Sequence, residues 1–200
     1  DVECSFLNRE TFFGLMEGLV ARIWKEVGGV EIETPFERVP YADAIAQYGT
    51  DRPDRRFGMK LATITDVAQA SEFKVFKGAV EKGGVARAMA GPGMASSSRK
   101  EIDDIIARAQ ELGAGGLAWA KRTENGYESN ITKFFLDGQL EEIGARAGVE
   151  VGDLLMMVAD KPAVSASVLG HLREESGPRF TRRSEIRFLL GRGFSASRIR

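Results

Sequence analysis

The side chains that most often carry chemistry are scarce in this sequence. Cys4 is its one cysteine and His171 its one histidine. A lone thiol excludes an internal disulfide and a cysteine-rich metal site. A lone imidazole offers a histidine-based triad a single candidate, and it sits in a helical pattern near Arg173 with no companion in view. Cys4, close to Phe6, reads as a small apolar filler, and His171 as a surface or half-buried side chain. The stretch GPGMASSS (residues 91–98) has two glycines and three serines. It lacks the lysine followed by serine or threonine with which a phosphate loop grips its ligand. Glu101, Asp103 and Asp104 fall in the first turns of a helix, where they complement its dipole without a catalytic duty. No carboxylate pair, no Cys/His pair and no metal-ligand spacing stands out. Residue chemistry by itself implies a soluble α+β domain with no assigned reaction.

The bulk properties set the frame that must position these groups. With 200 residues and 43% hydrophobic content, the chain holds one sizeable core, or one domain and part of another. Its formal net charge of −1 is unevenly spread, because residues 178–200 carry seven arginines against Glu185. The remainder is acidic, so affinity for nucleic acid would have to come from local patches. No apolar run approaches the ~18–20 residues that cross a bilayer, and the start has no signal-like segment. A cytoplasmic location with no membrane partner is expected. The chain does not begin with Met, which suggests a piece of a longer protein.

Apolar spacing then predicts the elements. Asn8 caps a helix carrying Phe12, Met16, Leu19, Val20, Ile23, Trp24 and Val27, stopped by Gly28 and Gly29. VEIETPFERVPY reads as extended, YADAIAQYG as a short helix, and TDRPDRRFG as a polar loop. FKVFKGAV alternates loosely as a strand, with GVARAMAGPG its hairpin partner across EKGG. Ser98 and Glu101 have capping-box spacing ahead of a helix with Ile102, Ile105, Ile106, Ala109 and Leu112 on one face. GGLAWAKR and SNITKFF read as strands around the turn-rich TENGYES. GQLEEIGARAG is helical, DLLMMVAD a buried strand, and PAVSASVLGHLREES a helix with Pro162 near its start. The expected fold is α+β, a two-layer arrangement of an antiparallel sheet with helices on one face.

Specific strings carry a resemblance. YADAIAQYGTDRPDRRFGMKL, SEFKVFKGAV, PGMASSSRKEID, GAGGLAWAK, ITKFF and GDLLMMVADKPAVSASVLGHLR resemble successive blocks of the bacterial aspartyl-tRNA synthetases, in that family's order and spacing. DVECSF resembles the exit of the class II motif 2 strand. Coverage runs from Asp1 to about Arg173. Two small departures are Ala120, where the family more often has a β-branched residue, and Met94 in place of a usual glycine.

The resemblance implies four segments. Residues 1–61 would be part of a class II catalytic domain, and 62–161 a GAD-type (DCoH-like) insertion domain. Residues 162–177 would be a helix returning to the catalytic domain, and 178–200 an atypical arginine-rich tail. The parent enzyme would use ATP and Mg2+, with tRNA and aspartate as partners, and would be a homodimer. By resemblance, Asp1 matches the motif 2 aspartate that binds the substrate ammonium through a charge-assisted bond. Glu3, two residues on, would point to the same face of a strand and assist it. No catalytic or metal residue is carried over. The arginine and histidine loops that hold ATP have no counterpart here, so the fragment is expected to be inactive alone and to bind no cofactor. An alternative is a free-standing GAD-type module that binds tRNA or packs on a neighbour, as in amidotransferase subunits.

The tail departs from the family. Codons for residues 190–200, read one base later, can spell Trp-Val-Val-Asp-Phe-Pro-Leu-Leu-Glu-Tyr, the strand the family has at this point. A frameshift shortly after Gly177 is therefore the favoured reading. Its rivals are a basic arm on phosphates and a small amphipathic helix with Ile186, Leu189 and Leu190 on its stripe.

Overall fold

The structure is a computed structural model and describes residues 2–56 and 58–180, with the side chains of 178–180 excepted. Asp1 and the readings of residues 181–200 lie outside the described residues. Two compact units separate between Val39 and Pro40.

The first unit is built on one long helix, α1 (Arg9–Gly28). Asn8 caps it, its side-chain oxygen accepting from the Thr11 amide at 2.9 Å, and Gly29 closes it at φ 66°. That agrees with the expected start and stop. The expected apolar face is another matter. Leu19, Ile23, Trp24 and Val27 are exposed, and the one buried residue of α1 is Glu17. Periodicity identifies a helix, but no second apolar layer covers it among the described residues. Residues 2–7 also form no strand, so the expected placing of Glu3 on a strand face is not met; no neighbouring strand pairs with their backbone. Cys4 is exposed, which corrects its reading as an apolar filler.

The second unit starts with α2 (Tyr41–Tyr48) and continues into β1 (Ala62–Thr63), α3 (Thr65–Ala70) and α4 (Lys74–Glu81). β2 (Val85–Gly91), α5 (Arg99–Glu111), β3 (Ala118–Thr123) and β4 (Gly126–Glu128) follow. α6 (Gln139–Ala147), β5 (Leu154–Asp160) and α7 (Pro162–Phe180) complete it. The five strands form one antiparallel sheet in the order β1-β2-β5-β3-β4.

Strand alternation sends successive side chains to opposite faces, and both faces are covered. Leu154, Met156 and Val158 of β5 join Met89, Ile102 and Ala109 with Val168, Leu169 and Leu172, under α5 and α7. Leu155 and Met157 join Ala86, Ala88 and Ala120 with Val67, Phe76 and Ile143, under α3, α4 and α6. The α+β class therefore holds, but not the helices on one face. β5 is apolar at every position from Leu154 to Val158, and a strand of that kind requires a layer on each side.

Two expected strands are not strands. Residues 73–80 alternate loosely, yet Phe73, Phe76 and Val80 recur at helical spacing and pack into the core, while Val75 is 66% exposed. They form α4, so β2 pairs with β1 and β5 instead of a hairpin partner before it. Residues 129–135 make a short 3-10 turn (Thr132–Phe134), with Ile131 and Phe135 buried. The strand beside β3 is β4, inside the segment read as a turn, with Thr123 paired to Gly126 across Glu124-Asn125. The loop residues are Glu124 and Asn125, and the glycine next to them, Gly126, stands in β4 at φ 121°. The expected capping box of α5 is present: the Ser98 amide donates to Glu101 at 2.7 Å, and the Glu101 amide to the Ser98 hydroxyl at 3.3 Å.

Candidate functional site

The polar loop at residues 50–60 is held by a side chain more than a hundred residues away. Arg173 lies on α7 on the buried stripe of Leu169 and Leu172, and is itself fully buried. Its Nε donates to the carbonyl of Met59 at 2.8 Å. Its Nη2 donates to the carbonyls of Asp54 at 2.7 Å and Gly58 at 3.0 Å. The guanidinium also lies 4.9 Å from the centre of the buried Tyr48 ring. Water cannot compensate a charge at such a depth, so the converging carbonyl oxygens and the ring face must.

Two glycines let α2 and α7 approach closely enough for this. Gly49 ends α2 at φ 75°, and a Cβ there would stand 2.2 Å from the Ala166 carbonyl oxygen. A Cβ on Gly170 would stand 2.9 Å from the Tyr48 carbonyl oxygen. Backbone meets backbone here, so neither position has room for a side chain.

On the outer side of the loop, Asp54 and Arg56 form an ion pair. The Arg56 Nε lies 2.9 Å and 3.0 Å from the two Asp54 oxygens, and the Arg56 amide also donates to Asp54 at 3.0 Å. The Arg56 guanidinium holds the Asp54 carboxyl below its ordinary pKa. The segment expected as a polar loop is thus a turn closed by an internal ion pair. Asp51, Arg52 and Arg55 are exposed on the same turn, and arginines on a rigid turn suit a phosphate or carboxylate partner.

The other candidate residues become simpler, and each is accounted for by local geometry. GPGMASSS is a turn into α5, with the Gly93 amide donating to Asp153 at 2.9 Å. His171 is exposed, its Nδ1 2.8 Å from the Ser167 carbonyl. Glu101 caps α5, while Asp103 pairs with Arg99 at 3.0 Å. Glu3 is exposed on an irregular segment; Asp1, its expected companion, lies outside the described residues. Among the described residues no group of three or more His, Cys, Asp or Glu stands where it could hold a metal ion.

Sequence reasoning misses Arg173, Tyr48 and the Gly49–Gly170 contact. A signal is present, since Leu169, Leu172 and Arg173 share the three-and-four spacing of one helical stripe. A charge on that stripe needs a buried partner.

Comparison with known proteins places these features. Residues 76–169 match the GAD domain model. The aspartate–tRNA(Asp/Asn) ligase of Heliobacterium modesticaldum is 49% identical over 175 residues, which is 88% of this chain and 29% of that protein. The aspartate–tRNA(Asp/Asn) ligase of Symbiobacterium thermophilum is 44% identical over 191 residues, 95% of this chain and 32% of that protein. The aspartate–tRNA ligase of Macrococcus caseolyticus is 45% identical over 178 residues, 88% and 30%. The chain spans about 30% of the length of these curated relatives. The Arg173 anchor, the two contacting glycines and the sheet all fall inside a stretch of sequence that the alignments cover almost whole. The chain is a relative of the bacterial aspartate–tRNA ligases and carries a GAD domain at residues 76–169.

Proposed function

We propose that this chain works as part of an aspartate–tRNA ligase, which attaches aspartate to tRNA at the expense of ATP. The observation that carries the reading is identity of 44–49% over about nine-tenths of the chain to proteins of that name. In this reading residues 1–61 belong to a class II catalytic domain and 62–161 are the GAD insertion. Residues 162–177 return to the catalytic domain, with 178–200 an atypical tail. Asp1 binds the ammonium of aspartate and Glu3 assists it. The working enzyme is a cytoplasmic homodimer, and other parts of the longer protein hold ATP and Mg2+.

Arg173 then has a clear duty. It ties the loop at 54–59, which precedes the GAD domain in the chain, to the helix that follows it. Entry and exit of the insertion are locked at one point, so the domain is mounted rather than tethered. The exposed apolar residues of α1 are, in the same reading, covered by the remaining catalytic domain.

The alternative is a free-standing GAD-type module that binds tRNA or a neighbour. It is favoured by the second unit's core, which is closed on both faces of the sheet. One experiment separates the two. Residues 1–177 replace the matching third of the Heliobacterium modesticaldum ligase, and aspartate-dependent ATP–pyrophosphate exchange is measured for the chimera and for the 200-residue chain. The ligase reading expects exchange from the chimera and none from the chain. An inactive but folded chimera would favour the module.

A further inference from the structure

Where β5 ends and β3 begins, the sheet opens into a cleft of about 670 Å3 flanked by α4 and α5. Lys74, Lys82, Arg99 and Lys161 line it, all exposed, and the half-buried indole of Trp119 forms part of the wall. Arg99 is engaged by Asp103 and lies 5.9 Å from the centre of the Trp119 ring. No ion pair among the described residues engages Lys74, Lys82 or Lys161. The one carboxylate in the lining, Asp160, accepts from the Gly115 amide at 3.1 Å and the Lys161 amide at 2.7 Å.

Four cations around one carboxylate stand out in a chain of net charge −1. Such a concentration selects a ligand with several negative charges. The indole selects a flat ring that can lie against it. A single RNA strand supplies both in its repeating unit, phosphates for the lysines and a base for the indole. A duplex has the phosphates but keeps its bases stacked inside.

We propose that this cleft binds a short single-stranded segment of RNA, with phosphates at Lys74, Lys82 and Lys161 and a base against Trp119. The inference rests on the ligase reading for the presence of tRNA, and adds where on this chain a strand of it is held.

The test uses the 200-residue chain carrying Trp24→Phe, which leaves Trp119 as its sole tryptophan. It is titrated with a mixed-sequence RNA hexamer, a hairpin duplex and ATP at two salt concentrations. Saturable quenching of Trp119 by the hexamer is expected, with much weaker binding of duplex and of ATP. Three phosphate contacts predict an affinity loss of roughly 20-fold for a fourfold rise in salt. Lys82→Ala with Lys161→Ala should leave about a threefold loss over the same rise, while the Lys→Arg pair restores the steep dependence. Trp119→Leu should weaken the hexamer about tenfold without changing the salt dependence. No saturable quenching at low salt overturns the proposal. So does an unchanged salt dependence in the folded Lys→Ala pair, or equal binding of duplex or ATP. An active chimera with no hexamer binding refutes this proposal and leaves the ligase reading standing; hexamer binding with an inactive chimera does the reverse.

Discussion

Helices α1 and α5 have similar apolar spacing and opposite fates. In α5, Ile102 is 1% exposed and Ala109 fully buried, packed against the sheet with α7 beside them. In α1, Leu19, Ile23 and Val27 recur every four residues and are 45%, 51% and 85% exposed. Both helices are capped by a side chain, Asn8 in one and Ser98 in the other. Local sequence therefore determines that each is a helix, and tertiary surroundings decide whether its stripe is covered. The second unit supplies its own cover; the described residues of the first do not.

The comparison is sharpened most at its buried end. Ile102→Ala should destabilise the second unit by about 3 kcal/mol, the sum of lost transfer free energy and an unfilled cavity. A urea-unfolding series followed by circular dichroism reads this directly. A loss under about 1 kcal/mol would mean that the face of α5 is not the packed layer described.

Arg173→Met comes close behind. The substitution keeps a long apolar stem but leaves the carbonyls of Asp54, Gly58 and Met59 without their buried donor, at an expected cost of about 3 kcal/mol. The distinguishing readout is local. Amide exchange in residues 50–60 should accelerate more than in β5, because the loop loses its anchor before the sheet loses its core. Equal acceleration in both would show that Arg173 supports the core generally and does not specifically hold the loop.

The same contrast explains what can be read in advance. The capped helices α1 and α5, the helix α7, the strand β5 and the α+β class are legible, because each rests on spacing within one segment. Residues 73–80 are not, since a run of eight with phenylalanines at 73 and 76 fits both periods loosely. The helix is fixed by which of those side chains meets Phe134 and Phe135 far along the chain. The two-sided cover of the sheet is half legible, since LLMMV in β5 has no polar side to turn outward. Arg173 is hidden for a different reason. Its partners are main-chain carbonyls, which leave no mark in sequence. The lysines of the cleft come from α4, the loop after it and the end of β5, so no motif links them.

A smaller effect probes the surface that joins α3 to α6. Arg146 binds Asp66 through both carboxylate oxygens at 2.7 Å and also reaches Glu142. Its hydrogen bonds hold the Asp66 pKa down at about 2. A depressed carboxyl stabilises the fold above its unfolded pKa, and that contribution fades as pH falls from about 4 through 2. The pair is largely solvent-exposed, so screening reduces its worth to about 0.5 kcal/mol. Asp66→Asn should therefore lower stability by about 0.5 kcal/mol at pH 7, match the parent near pH 2 and flatten the profile between pH 4 and pH 2, as read by thermal unfolding across pH. A variant with the parent slope would remove Asp66 from the account of acid sensitivity.

The least effect is expected at the exposed end of the comparison, and it is the most informative about α1. Ile23→Lys puts a good helix former where a half-exposed β-branched side chain now stands. In the free chain it should change stability by less than about 0.5 kcal/mol, and lower any concentration-dependent association seen in sedimentation. In the chimera the same substitution has a different meaning. If the remaining catalytic domain covers α1, a lysine at 23 becomes a charge in an apolar layer and should abolish folding or exchange activity. Tolerance in both settings would show that this face of α1 stays open to solvent even in the longer protein. Tolerance in one and failure in the other would locate the missing cover in the sequence outside these residues.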